Sequence, residues 1–272
     1  MMMMKYGLDI AVAAVMAAAL SGCEKELDFM YHEIDPITVI EGGVTESGAR
    51  VGITLTTPMD EPMERRRLTD ARVSVEDMTD GGAVALAAGD DGMFVAPEGF
   101  GGVAGHRYRL TVERDGMSFA AESEMLAPTV ITDMEFEWIK MPYDHVAVLQ
   151  VTFEDDQRSS GDCYWVRVYR NGEPYRWSAV DDRTASGGYI SEVIMTTRRD
   201  TEEEGDDDVL LDGDTVTVTV APISQDMHDY LSALMSGGSN GPRMFSGDFC
   251  LGYFLAASTD SRSMTFRPDE IR

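Results

Sequence analysis

The fold is decided in the stretch HRYRLTVERDGMSFAAESE, residues 106–124. Apolar and polar side chains alternate on both sides of Asp115-Gly116, which is the period of a β-strand and not that of a helix. An Asp-Gly pair accepts the positive φ angles of a two-residue hairpin turn. The stretch therefore predicts that residues 108–112 and 117–121 pair antiparallel within a β-sheet.

The same period of two continues through residues 37–126. Short runs rich in Val, Thr, Ile and Tyr lie between turn signals such as Gly42-Gly43 and Asp80-Gly81-Gly82. The predicted strands cover residues 37–41, 50–56, 71–76, 83–87, 92–96, 106–113 and 117–124. About seven short strands without a helix are typical of an immunoglobulin or transthyretin type of sandwich, and we expect one at 37–126.

A second β-rich region is predicted after Ala127-Pro128-Thr129, because proline ends strand pairing and a new strand pattern begins beyond it. Asn171-Gly172 predicts another hairpin, and Ser224 is placed to cap a helix near 224–236. The predicted strands cover residues 130–139, 146–153, 164–169, 175–178, 189–197, 215–220, and a final pair at 249–257 and 264–266. The expected fold is mostly β: the N-terminal sandwich, then an antiparallel β-domain with one inserted helix at 129–272.

The charge of the chain restricts its partners. It carries 49 acidic and 22 basic residues, a formal net charge of −27. A surface this acidic repels the phosphates of nucleic acids, so we expect no nucleic acid partner. With 43% hydrophobic residues the chain can still build a folded core, and the charge most simply serves solubility.

The N-terminal residues have the pattern of an export signal. Lys5 precedes an apolar run that is shorter than the ~20 residues of a membrane-spanning helix. The run ends in Leu20-Ser21-Gly22-Cys23, which resembles a bacterial lipobox and implies cleavage and acylation at Cys23. More than one acyl chain makes a stable anchor. We expect a lipoprotein signal at 1–22, a tether at 23–36 and membrane attachment through Cys23; an ordinary signal with a chance cysteine is the alternative.

Several features in order along the chain resemble one family of envelope proteins. They are Cys23-Glu24-Lys25-Glu26, Val39-Ile40-Glu41-Gly42, Leu68-Thr69-Asp70-Ala71-Arg72-Val73, the helix around Tyr230-Leu231, and Gly247-Asp248-Phe249-Cys250-Leu251-Gly252-Tyr253-Phe254. The ensemble resembles the Bacteroidetes outer-membrane lipoproteins of domain of unknown function family 4249. The resemblance implies an outer-membrane location, and the acidic residues after Cys23 are similar to a signal for the cell surface. It also implies a TonB-dependent receptor as partner, and it implies no catalytic residue.

No pattern in the sequence predicts a catalytic site, a cofactor or a metal centre. Ser239 lies in a Gly-x-Ser-x-Gly pattern, but that pattern follows a predicted helix, where a flexible loop explains it better than a nucleophile elbow. The histidines are scattered without a second ligand at metal spacing: His32, His106, His145 and His228. We therefore expect a protein that is not an enzyme.

The acidic stretch 200–214 is the strongest candidate for a cation loop. Calcium takes about six to eight oxygen ligands, and carboxylates are abundant at Asp206, Asp207, Asp208, Asp212 and Asp214. The spacing fits no EF-hand, and consecutive like charges usually indicate a solvated loop. A solvated loop is the preferred interpretation, and a calcium site is the alternative.

Two further residue pairs leave alternatives open. Cys163 and Cys250 are compatible with a disulfide outside the cytoplasm or with two buried thiols. Tyr175 and Trp177 lie near the second hairpin, where they would form either a ligand patch or part of a core.

Three functions fit these patterns. The first is a non-catalytic outer-membrane lipoprotein that serves as an accessory module for a TonB-dependent nutrient-uptake receptor. The second is a stand-alone surface protein that binds a glycan, peptide or cation at the Tyr175 and Trp177 patch or at the acidic loop. A third is a hydrolase whose carboxylates are scattered in the sequence.

Overall fold

Strands dominate the computed structural model, which describes residues 35–57, 67–142, 145–198, 209–238 and 241–271. The strands are β1 (Thr38–Thr45), β2 (Gly48–Leu55), β3 (Arg72–Asp77), β4 (Gly82–Ala88), β5 (Phe94–Val95), β6 (Arg107–Arg114), β7 (Met117–Glu124), β8 (Ile131–Lys140), β9 (His145–Glu154), β10 (Cys163–Arg170), β11 (Glu173–Asp181), β12 (Tyr189–Arg198), β13 (Thr215–Ile223), β14 (Ser246–Gly247), β15 (Leu251–Ala256) and β16 (Asp260–Thr265). One α-helix among the described residues, α1 (Gln225–Met235), lies between β13 and β14.

The hairpin predicted at Asp115-Gly116 joins β6 to β7. Arg114 lies opposite Met117, and the two turn residues have φ angles of 51° and 79°. Asn171-Gly172 makes the equivalent turn between β10 and β11, with φ angles of 51° and 89°. Both hairpin predictions are confirmed by the antiparallel pairing and by the positive φ angles of the turn residues.

The first sandwich is a nine-stranded sheet that curls around its own core. Its strand order is β14-β7-β6-β3-β4-β5-β2-β1-β15. Strands β14 and β15 stand at opposite ends of this order, yet only residues 248–250 separate them in the chain. The four Cα–Cα steps from Gly247 to Leu251 span at most about 14 Å, so the two ends of the sheet must lie close together. The core between them includes Ile40, Val51, Val75, Leu110, Phe119 and Met125, all fully buried.

The second sandwich is built from two sheets that face each other. Their strand orders are β11-β10-β13-β16 and β12-β9-β8. Side chains alternate along β10, so Tyr164, Val166 and Val168 enter this second core and meet Leu149 and Phe153 of β9. Seven strands in two layers is the architecture expected of an immunoglobulin-like sandwich.

Helix α1 packs on the other face of β10. Ser224 Oγ accepts a hydrogen bond from the backbone N–H of Met227 at 3.3 Å, which confirms the predicted cap. Met227 and Leu231 are buried in a third cluster with Trp165 of β10 and Leu255 of β15. No helix in the described part of the chain is both long and apolar enough to cross a bilayer.

The predicted fold class, mostly β with one inserted helix, is confirmed, but the turn predicted at Gly42-Gly43 is wrong. Both glycines lie inside β1, and the turn is at residues 46–47. A Cβ atom at Gly43 would lie 2.2 Å from the carbonyl oxygen of Leu255, so this strand needs glycine to let β15 approach. Glycine marks close contact here and not a reversal of the chain.

The last strands also differ from the prediction. The expected final pair does not pair: β15 runs parallel to β1, whereas β16 pairs with β13 in the second sandwich. The region assigned to the second domain, 129–272, thus completes the first sandwich before it returns to the second. The boundary at 127–129 stays a prediction, and Pro36–Arg272 forms one compact unit.

Candidate functional site

A cleft of about 890 Å³ lies between the two sandwiches. The first sandwich contributes β1, β2, β15 and the loop at 96–100 to its lining, and the second contributes β10 and the start of β11. Its volume falls within the range of about 300–1,000 Å³ that is common for small-molecule sites. It is therefore the leading candidate for a ligand-binding site.

Aromatic side chains form one wall of the cleft. Trp165 is 8% exposed and has Tyr253 and Trp177 edge-on to its ring, at centroid distances of 5.6 and 6.3 Å. Tyr230 of α1 lies 6.0 Å from Tyr253 and extends the cluster. Aromatic pairs of this kind add about 0.5–1.5 kcal/mol each beyond the area that they bury, so the wall is held firmly in place.

Arg167 lies over the ring of Trp165, with its Cζ atom 4.8 Å from the ring centroid. Trp165 Nε1 and Arg167 Nε are both buried, and neither atom has a hydrogen-bond partner among the described residues. A buried donor without a partner costs about 1–3 kcal/mol. Two such donors beside one cleft favour a ligand that brings hydrogen-bond acceptors.

The lining of the cleft is less acidic than the chain as a whole. Arg50 and Asp91 form an ion pair at 2.7 Å at one rim, and Arg67 Nη1 donates to the carbonyl oxygen of Asp91 at 2.7 Å. Burial, helped by the Glu41 carboxylate, raises the pKa of Tyr253 to about 12, so this phenol stays protonated. The charged residues that line the cleft are Arg50, Arg67, Arg167, Glu41 and Glu98.

The structure separates the two residues of the predicted ligand patch. Trp177 lies opposite Arg167 in the β10–β11 pair, on the face of Trp165, and is 37% exposed. Tyr175 is the extra residue of a β-bulge, where Val168 faces Arg176 and Tyr169 faces Pro174. The bulge turns Tyr175 toward the second core, and its hydroxyl donates to the carbonyl oxygen of Thr196. Trp177 therefore contacts the ring of Trp165, and neither Trp177 nor Tyr175 is among the residues that line the cleft.

The predicted cation loop divides into two parts. Asp206, Asp207 and Asp208 lie outside the described residues. Asp212 lies 3.1 Å from Arg267 Nη1 and is mostly exposed. Asp214 is buried and accepts hydrogen bonds from Arg170 Nε, Asn171 Nδ2 and Leu211 N at 2.6, 2.7 and 2.8 Å. Its oxygens are thus used to hold the chain and not to face a cation.

The two later cysteines are buried and free. Cys163 packs in the cluster beneath α1, and Cys250 packs in the core of the first sandwich. Burial raises the pKa of each thiol to about 11. Of the two alternatives left open by the sequence, the structure has two buried thiols. Cys23 and Ser239 lie outside the described residues.

One side-chain cluster was not predicted from the sequence. His106 Nδ1 lies 2.8 Å from Asp77 Oδ2 and 4.0 Å from Asp80 Oδ2, although these residues are far apart in the chain. The hydrogen bond to Asp77 raises the pKa of His106 above its usual value. Asp77 also accepts hydrogen bonds from the backbone N–H groups of Thr79 and Asp80, so the cluster ties the β3–β4 turn to β6.

Comparison with known protein families finds one family that matches most of the chain. Residues 24–263 match a family described as a domain of unknown function (DUF4249). The chain belongs to this family. The match begins directly after Cys23 and runs through both sandwiches into β16. A search of curated proteins finds no match.

Two solved structures are among those similar to this DUF4249 member. A two-domain fibronectin type III segment of chicken tenascin is 13% identical with a TM-score of 0.25, covering 85% of this chain and all of that one. The FN1–FN3 domains of chicken CNTN1 are 11% identical with a TM-score of 0.25, covering 85% of this chain and 65% of that one. At this TM-score neither likeness carries an argument, and the sandwich architecture rests on the sheets themselves.

The stretches that carried the family resemblance have structural roles. Asp70 accepts two hydrogen bonds from Arg114, at 2.7 and 3.0 Å. Asp248 Oδ2 accepts one from Ser118 N at 2.8 Å, directly before β15 joins β1. The first contact ties the residues before β3 to the end of β6, and the second ties the residue after β14 to β7, so the stretches serve the fold of the DUF4249 chain.

Proposed function

We propose that this DUF4249 chain is a non-catalytic binding module of the outer membrane, held by lipid on Cys23 and acting as an accessory to a TonB-dependent nutrient-uptake receptor. One observation carries the binding role: the cleft between the sandwiches has an aromatic wall with two buried donors that lack partners among the described residues. The receptor and the membrane location are supported by the family resemblance and by the lipobox pattern at Leu20-Ser21-Gly22-Cys23.

The interlocked chain path supports a binding role. Segment 246–256 completes the first sheet and β16 then completes the second, so the chain passes between the sandwiches more than once. A cleft between two bodies tied in this way keeps its shape, and a preformed site lowers the cost of ordering when a ligand binds.

The state of the described thiols supports binding over catalysis. With pKa values raised to about 11 by burial, Cys163 and Cys250 stay protonated at neutral pH and are poor nucleophiles. A screen of the chain on generic ester, peptide and glycoside substrates is expected to show no turnover above that of a mock preparation. Turnover that follows the chain through purification would favour the hydrolase hypothesis instead.

The anchor is tested at Cys23. Wild-type chain is expected in the membrane fraction with added lipid mass, and Cys23→Ser in the soluble fraction without it, because the serine hydroxyl does not replace the acylated thiol. Cys163→Ser is the matched control, since it removes a thiol that the structure buries beneath α1. Membrane attachment of Cys23→Ser would overturn the lipid anchor.

A stand-alone ligand-binding protein is the second candidate. The same cleft favours it, because a preformed site needs no partner in order to bind. Saturable binding by the purified chain alone, together with no co-purifying receptor, would favour this candidate over the accessory role.

A further inference from the structure

We propose that the cleft between the sandwiches binds a ligand that presents a carboxylate on a ring or other apolar body, with Arg167 anchoring the carboxylate and Trp165 Nε1 donating a hydrogen bond to it. The inference rests on the proposed binding function and names the chemical class of its ligand. It is independent of any receptor.

The first support is the pair of donors on adjacent outward positions of β10. Trp165 is more than nine-tenths buried and lines the cleft, and its Nε1 has no partner in the described chain. Arg167 lies two residues further along the same face of β10. Its Nε atom is also buried and has no hydrogen-bond partner among the described residues. Buried polar atoms are almost always paired in native proteins, so an unpaired pair in one cleft indicates a site for acceptor oxygens.

The second support is the charge of Arg167. The chain has more than twice as many acidic as basic residues, and many of its arginines pair with carboxylates, as Arg109 does with Glu122 and Arg114 with Asp70. No carboxylate of the described residues lies within ion-pair distance of Arg167, whose guanidinium lies over the ring of Trp165. A partly buried guanidinium in so acidic a protein is therefore available to a ligand anion.

The shape and charge of the site select a carboxylate. The planar guanidinium offers parallel N–H donors that match the two oxygens of a carboxylate. Glu41 and Glu98 also line the cleft, and they disfavour a doubly charged group such as a phosphate monoester. A carboxylate carries a single negative charge and therefore fits the Arg167 side of the cleft.

The rest of the ligand meets an aromatic and apolar surface. Trp165, Tyr253, Phe100 and Leu255 line the same cleft as Arg167. Rings of this kind stack on sugar or aromatic bodies. Entry of the ligand turns Arg167 away from its position over Trp165, because the stacked guanidinium covers part of that ring. Binding is thus expected to change the tryptophan fluorescence.

Titration calorimetry and tryptophan fluorescence on the purified full chain test the proposal with two matched probe pairs. The monosaccharide galacturonate is compared with the neutral galactose, and the peptide Gly-Gly-Phe with its C-terminal amide. We expect saturable heat and a fluorescence change for at least one carboxylate probe, and at least about 30-fold weaker binding for its neutral partner. Which carboxylate binds tells whether the source is a sugar acid or a peptide end.

Variants at the anchor sharpen the test. Arg167→Gln is expected to weaken carboxylate binding by at least about 30-fold. Arg167→Lys keeps the positive charge but loses the parallel N–H donors, and it is expected to weaken binding by about 10-fold. Arg72→Gln is the matched control, because Arg72 is 91% exposed and lies outside the cleft lining. A circular dichroism spectrum equal to wild type verifies that each variant is folded.

Two results would overturn the inference: no saturable binding of either carboxylate probe at millimolar concentration, or carboxylate affinity of folded Arg167→Gln equal to wild type. Either result leaves the proposed accessory role standing if a receptor still co-purifies with the chain. Conversely, carboxylate binding without a co-purifying receptor removes the accessory role and keeps the inference.

Discussion

Asp214 holds together the end of the β10–β11 hairpin and the start of β13. Burial raises the pKa of its carboxyl group, but hydrogen bonds from Leu211 N, Asn171 and Arg170 outweigh that effect and leave the pKa below its usual value. The folded state therefore gains stability from Asp214 above its unfolded pKa of about 3.8, and this gain is lost as the pH falls through the folded value.

Removal of this carboxylate is expected to be costly. Asp214→Ala leaves Arg170 and two neutral donors without their shared acceptor, and we expect a loss of about 2–4 kcal/mol in the free energy of unfolding. Asp212→Ala is the control, with an expected loss of under about 0.5 kcal/mol because its ion pair with Arg267 is exposed. Urea denaturation at pH 7 measures both, and equal losses would contradict the assigned role.

The pair of His106 and Asp77 predicts a pH-dependent contribution to stability. The raised pKa of His106 gives a contribution that is complete below its unfolded value of 6.5 and is lost as the pH rises through the folded value. Burial raises the pKa of Asp77, but hydrogen bonds from His106 and two backbone N–H groups outweigh burial and leave the pKa below its usual value. The stability that Asp77 contributes is therefore present above pH 3.8 and is lost at lower pH. Asp80 at 4.0 Å and the stacked ring of Tyr108 are the other groups that face His106.

The His106→Gln variant isolates this contribution. We expect the stability difference from wild type to be largest near about pH 5 and to shrink as the pH passes about 8, where the wild-type imidazole is neutral. Chemical denaturation across that range measures it. A difference that is the same at both pH values would show that the charge on His106 has no part in it.

Some single residues of the candidate site could be predicted from the sequence, and others could not. The ligand patch at Tyr175 and Trp177 stays a prediction. The bulge that separates the two residues has no sequence signal, because a bulge depends on the partner strand. The cluster of His106, Asp77 and Asp80 was missed for a related reason: strand pairing brings β3 beside β6, and spacing in the sequence does not reveal it. Trp165 and Arg167 alternate visibly along β10, but only the fold shows which face meets the cleft.

At the scale of elements, β15 is the strand that the first sandwich needs in order to close. It runs parallel to β1, and the bridge between Leu126 and Ala257 together with a 2.9 Å hydrogen bond from Ala256 N to Ser123 Oγ joins it to the other end of the sheet. Most strands were predicted to within a few residues, because period two and turn residues are local signals. Pairing between β1 and β15 is not local, and the sequence therefore did not predict it.

Gly252 is the position at which this closure is most sensitive. Its φ angle is 106°, and a Cβ atom there would lie 1.9 Å from the carbonyl oxygen of Ile40 in β1. Gly252→Ala is expected to force β15 away from β1 and to cost more than about 3 kcal/mol of stability.

Gly105→Ala is the matched control for that variant. Gly105 also has a positive φ, at 86°, but a Cβ atom there meets nothing within 4 Å. Only backbone strain remains, so we expect a loss of about 1–2 kcal/mol. Thermal melts of both variants measure the difference, and a Gly252→Ala protein as stable as Gly105→Ala would rule out the close approach of β15.

At the scale of the whole molecule, each sandwich contains strands from distant parts of the chain. A fragment of residues 36–126 contains seven of the nine strands of the first sheet but lacks β14 and β15. We expect this fragment to lack the cooperative unfolding transition of the full chain, because the missing strands carry Phe254 and Ala256 of its core. Circular dichroism during heating measures it, and a sharp transition of the fragment alone would show an independent domain that ends near 126.

The same architecture connects to function through the cleft that the sandwiches enclose. The sequence predicted an anchor at Cys23, the family and two β-rich regions, but the cleft exists only because distant strands meet. What the chain binds and where it is held are the two parts of the proposed role, and they are tested separately.

The most direct measurement for the central claim is the stoichiometry of proteins captured with the chain. The chain is tagged at its C-terminus, the outer membrane is solubilised gently, and the captured proteins are quantified by mass spectrometry, with Cys23→Ser as the control. We predict a TonB-dependent receptor at near-equal amount with wild type and its loss with Cys23→Ser. Purification of the wild-type chain alone, in amounts that would reveal an equal partner, would contradict the accessory role.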